Sequence, residues 1–207
     1  MSNFLYYIGG RFVNSPGIIG FGISWVTSSL WDHFEFWFDA EQMALVKSIL
    51  TKYGMPLGTL DKNGVFTPYS DEGGYVGAHI GDGIQFRSLN YLTVSRERRY
   101  KKPITQTEAD VVGKTIEEIF EGFVVSVFKR VGTPYATDDI AAIFFHTRKL
   151  TPLTREICSE FGLLAPAENG IFFLNCDLEY SPLITPETLH LSNLWMRHCV
   201  YSYPPET

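Results

Sequence analysis

"HFEFWFDAEQMALVKSILTKYG", His33 to Gly54, changes character after six residues. From His33 to Phe38 the chain alternates and is rich in aromatics, a strand signal. Phe34, Phe36 and Phe38 fall on one face of such a strand, and His33, Glu35 and Trp37 on the other. From Asp39 the chain reads as a helix, with Asp39 as its N-cap and Gly54 as its stop.

Working outward, "PLGTLDKNGVFTPYSDEGG" is dense in turn residues, and its "KNG" suits a tight turn. "GYVGAH" and "GIQFR" are short strands separated by "IGDG", a hairpin. A long helix is expected in "TEADVVGKTIEEIFEGFVVSVFKRVG", capped by Thr107, with Val112, Ile116, Ile119, Phe123 and Val127 as its stripe. A "GTPY" turn follows, then a helix capped by Thr137 in "TDDIAAIFFHTRKL", then another around Cys158. "GIFFL" and "LWMRHCVYSY" read as late strands, and "NSPGIIGFGISWVTSSL" as an early helix opened by Ser15 and Pro16. Strands and helices are grouped rather than strictly alternating, so the expected class is α+β with an antiparallel sheet.

The 207 residues suit one well-filled domain, and an aromatic fraction of 15% against 19% charged predicts a large core. A net charge of -6 argues against nucleic acid or an anionic membrane as partner. "SRERRYKK", Ser95 to Lys102, reads as a solvated loop rather than a phosphate-binding patch. No secretory signal opens the chain and no stretch is long enough to span a bilayer, which predicts a cytoplasmic protein without membrane insertion. Cys158, Cys176 and Cys199 are odd in number and widely spaced, unlike a disulfide framework or a structural zinc site. No phosphate-cradling glycine motif occurs, and neither a cofactor nor a metal is expected.

Two residues carry chemistry. Cys158 in "TREICSEFGLL" follows Ile157 at the edge of the stripe Leu153, Ile157, Phe161, Leu164, near a helix start. There the positive end of the helix dipole favours a thiolate, although a buried structural cysteine is the common alternative. His33, at the end of a strand with Glu35 on the same face, is well mounted as a general base. His146, His190 and His198 match no motif and read as surface or core residues; Cys176 and Cys199 read as structural.

Taken in order, "SSLWDHFEFWF", "YVGAHIGDGIQFR", "VGTPY", "ICSEF" and "ITPETL" resemble the YiiX-type bacterial and phage proteins of the NlpC-like cysteine peptidase superfamily. That permuted papain-like branch is distantly related to lecithin:retinol acyltransferase. The resemblance runs from about Ser15 to Trp195 and implies a small antiparallel sheet packed against helices. It implies Cys158 as nucleophile, followed by Ser159 and Glu160, and His33 as base, with Asp32 where the family usually has serine. The third residue, which orients the imidazole, usually lies on the following strand, where this chain has Gly77 near the expected place. His79, Glu35 and Asp82 are the polar alternatives. We expect His79 over Glu35, because residues two apart on a strand stand roughly parallel about 6.5 Å apart, whereas a cross-strand partner can lie opposite. Tyr135 of "GTPY" is expected to line the cleft.

The expected activity is that of a thiol hydrolase, a peptidase or amidase. Cys158 attacks an amide or ester carbonyl of a peptide or acyl small molecule, and a cell-wall peptide is the leading substrate class by resemblance. Backbone N–H groups at the Cys158 helix start would hold the oxyanion. Lipid acyl transfer by the same pair is one alternative, and a phage-associated binding or structural module without turnover is the other.

Overall fold

In the computed structural model, the described residues are 5–14, 31–60, 64–79, 82–91, 94–134, 158–172, 186–191 and 198–203. They form a mixed helix and sheet arrangement built on antiparallel strand pairs. β1 (Tyr7–Asn14) and β2 (His33–Asp39) lead into α1 (Ala40–Lys52). β3 (Gly58–Leu60) and β4 (Phe66–Pro68) pair as a separate small hairpin. β5 (Gly73–His79), β6 (Gly83–Arg87) and β7 (Arg96–Pro103) precede α2 (Gln106–Val112) and α3 (Ile116–Lys129). α4 (Cys158–Ala167), α5 (Pro186–His190) and β8 (Cys199–Tyr203) complete the described elements. The main sheet runs β6-β5-β2-β1-β7-β8.

The strand-to-helix passage follows its sequence. Asp39 ends β2 and caps α1, its carboxylate accepting from the Gln42 N–H at 3.0 Å. Gly54 takes a left-handed φ of 63° just past the helix end, a conformation that suits glycine. The β5–β6 hairpin also forms, with Tyr75 opposite Arg87 and His79 opposite Gly83.

Three expectations are corrected. The long helix after Thr107 is two helices: α2 ends at left-handed Gly113, and Thr115 opens α3 with its own capping box. The first of them is capped by Thr105 rather than Thr107. "SRERRYKK" is not a solvated loop but strand β7, paired with β1 along its whole length and with β8 on its other side. Three of its cations are matched by neighbours: Arg99 by Glu97 at 2.5 Å, Lys101 by Asp39 at 2.6 Å and Lys102 by Glu108 at 2.6 Å. "GIFFL" contains no strand over Gly170–Phe172, its described part. The early helix, the Thr137 helix and the remainder of "GIFFL" lie outside the described residues.

Alternation gives the sheet two unlike faces. Ile8, Phe12, Phe34, Phe36, Phe38, Val76, Ala78 and Ile84 join Met43, Val46, Ile119, Phe123, Val127 and Phe161 in one core beneath the helices. Phe36 makes edge contacts with Phe34, Phe123 and Phe161 at centroid separations of 5.0–5.1 Å, the preferred geometry for aromatic pairs. The opposite face carries Arg11, Glu35 and Glu97, which are buried as well.

Candidate active site

The site grows from the register of β1, β2 and β5. Arg11 stands opposite Glu35 on one side, and Gly77 stands opposite Glu35 on the other. Arg11 lies under the Tyr75 ring, 4.0 Å from its centroid, and donates to Glu35 Oε2 and to Glu97 Oε1, both at 2.8 Å. A buried guanidinium between two carboxylates fixes Glu35 from behind. The Tyr91 hydroxyl donates to the other Glu35 oxygen, Oε1, at 2.5 Å.

That same Oε1 faces two imidazoles. His33 Nε2 lies 3.6 Å from it and His79 Nε2 3.4 Å. The two rings are 5.0 Å apart, and Tyr91 meets His79 edge-on at 5.4 Å. The expectation that spacing along the strand keeps Glu35 away from His33 is therefore corrected. Gly77 supplies the reason: a Cβ there would come within 2.8 Å of Glu35 Cγ and 3.2 Å of Oε1. With no side chain at that position, the carboxylate has room to lean toward the strand end.

Cys158 opens α4 as its first described residue, and it is buried. Gly162, one turn further on, lets this helix sit directly on Phe34, whose ring would lie 2.5 Å from an added Cβ. The sulfur lies beside His33, close enough to act on its imidazole. Burial alone would favour a neutral ring, but Cys158 and Glu35 outweigh it and push the His33 pKa up to about 10. Burial likewise opposes the Glu35 charge, yet contacts with His33 and His79 hold its carboxyl well below the usual range. His79 moves the other way: burial, with the neighbouring His33 and Arg87 charges, lowers its pKa despite Glu35.

The structure thus brings together His33, Glu35, His79 and Cys158. Asp82, the remaining polar alternative, is instead paired with Arg87 at the hairpin. Asp32 is buried, with its N–H donating to Val13 O at 3.1 Å. His190 is a core residue bonded to the Tyr100 hydroxyl at 2.6 Å, and burial lowers its pKa to about 4. Cys199 is exposed. Tyr135, His146 and Cys176 lie outside the described residues. A cavity of about 530 Å³ between Met55, Leu60, Phe66, Tyr69 and Phe128 includes none of the four site residues.

Arg11 and Tyr91 are the members that the sequence does not reveal. Arg11 and Tyr91 sit in segments without a motif; strand register brings Arg11 to Glu35, and the bend after β6 brings Tyr91. Gly77 stands near the place expected for the third residue, and its lack of a side chain is its contribution. No protein-family model matches the chain, and no curated protein matches it.

Proposed function

We propose that this protein is a cysteine hydrolase of peptidase or amidase type, on a permuted papain-like fold. The observation that carries the reading is the placement of Cys158 beside a half-buried histidine that also faces a fixed carboxylate. A thiol, an imidazole and an orienting acid in sequence make a nucleophile–base–orienter set.

With its pKa raised to about 10, His33 carries the proton at neutral pH and stands beside the Cys158 sulfur. The sulfur attacks the carbonyl carbon of an amide or ester, and the C=O π pair moves onto oxygen. Collapse expels the amine or alcohol, which takes the proton from His33 and leaves a thioester on Cys158. Water then attacks the thioester and gives its proton to His33. The carboxylic acid departs, the sulfur is freed and His33 is protonated again. Glu35 keeps the ring oriented and offsets its charge, while Arg11 and Tyr91 hold Glu35. The substrate class that suits this chemistry is a peptide amide or small acyl compound. Among the described residues no helix is long and apolar enough to cross a membrane.

Labelling with iodoacetamide at mildly acidic pH, followed by peptide mapping, tests the reading. Cys158 should react before the exposed Cys199, and His33→Ala should abolish that preference. Faster modification of Cys199 would favour a binding module without turnover.

A further inference from the structure

We propose that His33, Glu35 and His79 also form a binding site for a first-row divalent cation, zinc above all. One ligand atom from each lies within 4.8 Å of the other two. Two of the separations, 3.6 Å and 3.4 Å, both measured to Glu35 Oε1, are given by the structure. A tetrahedral zinc ion with bonds of about 2.0–2.1 Å requires neighbouring ligands about 3.3 Å apart. The protein therefore holds the carboxylate oxygen and each imidazole nitrogen close to an edge of such a polyhedron before any metal enters.

The chemistry of the donors agrees with the spacing. Two imidazoles and one carboxylate are the ligand set of open zinc sites, which leave a fourth position for water or another donor. Both Nε2 atoms are buried and make no hydrogen bond of good geometry, although each faces Oε1. Glu35 is already supported as a metal-binding carboxylate would be, by Tyr91 on Oε1 and Arg11 on Oε2. Arg11 is shared with Glu97, so its positive charge does not fall on Glu35 alone. Sequence spacing conceals the site, because two ligands alternate on β2 and the third comes from β5.

Binding there stands on geometry and does not depend on the hydrolase reading. If that reading holds, the cation ties up His33 and switches the thiol site off reversibly, so metal should slow the labelling of Cys158. Failure of the labelling experiment leaves metal binding to be decided by itself.

The test is titration of the full chain with Co²⁺, followed by visible absorption, and displacement of the cobalt by Zn²⁺. One ion should bind per chain, and His79→Ala should weaken binding at least about 100-fold, since even supporting residues around a metal contribute about 10–100-fold. X-ray absorption of the wild-type zinc complex should show two imidazoles and one carboxylate at about 2.0–2.1 Å, a readout that needs no variant to fold. Absence of saturable binding would overturn the proposal. So would unchanged affinity in a folded His79→Ala, or a zinc shell lacking two imidazoles.

Discussion

The two faces of the central sheet are buried by different means. On the helix side, Phe34, Phe36 and Phe38 interlock with Phe123 and Phe161, and exclusion of apolar surface from water stabilises the contact. On the other side Arg11, Glu35 and Glu97 are just as inaccessible, but each charge depends on a specific opposite charge. An apolar face tolerates a change of partner of similar size. A buried ionic face does not, because an unmatched charge costs more than the pair contributes. The lesson is that the second face serves position: it fixes one carboxylate oxygen against the His33 ring.

The largest effects should come from one deletion on each face. Phe36→Ala and Glu35→Ala should each cost roughly 3–5 kcal/mol in denaturant unfolding, the first through a cavity and the second because buried Arg11 and the two histidines lose a carboxylate that faces them. Their consequences at the site should differ. Glu35→Ala should lower the His33 pKa as followed by NMR titration, whereas a folded Phe36→Ala should leave it in place. Equal shifts in the two variants would erase the distinction between the faces.

Next in size is Gly77→Ala, which crowds Glu35 from across the strand pair. Overpacking of this kind costs about 1–3 kcal/mol. Because the contact falls on the carboxylate itself, labelling of Cys158 should slow at the same time. An alanine accepted without loss in either measurement would show that the glycine is not what admits Glu35.

The smallest loss of stability is expected for Cys158→Ala, about 1 kcal/mol or less at neutral pH, with all labelling and turnover at that position gone. Its pH dependence is more informative. A folded pKa raised to about 10 means that the His33 contribution is fully present below the unfolded value near 6.5 and is lost as pH rises through about 10. Glu35, with its pKa depressed, contributes above the ordinary carboxylate range and loses that contribution as pH falls. Removing Cys158 should therefore flatten the alkaline side of the stability profile and leave the acid side unchanged.

Local features are the ones legible in the sequence. The β2–α1 passage announces itself through alternation, Asp39 and Gly54, and the β5–β6 hairpin through "IGDG". Strand β1 does not, because "YIGGRFVN" has adjacent glycines. Gly9 is needed there for close approach, since a Cβ would fall 2.0 Å from the Trp37 carbonyl oxygen. Strand β7 reads as a loop because the carboxylates that neutralise it come from outside the strand as well as within it. His33 and Cys158 stand out through their motifs, while the Glu35 environment depends on three strands and the Tyr91 segment meeting. That convergence belongs to the tertiary structure, and no window of sequence contains it.

The most direct test of the account is the titration of His33 by heteronuclear NMR in wild-type protein and in Cys158→Ala. Cys158 and Glu35 together raise the pKa to about 10 in the wild type, so deleting the sulfur should bring the midpoint down while Glu35 still holds part of the shift. A midpoint near the ordinary histidine value of about 6.5 in both proteins would contradict the pairing of His33 with Cys158.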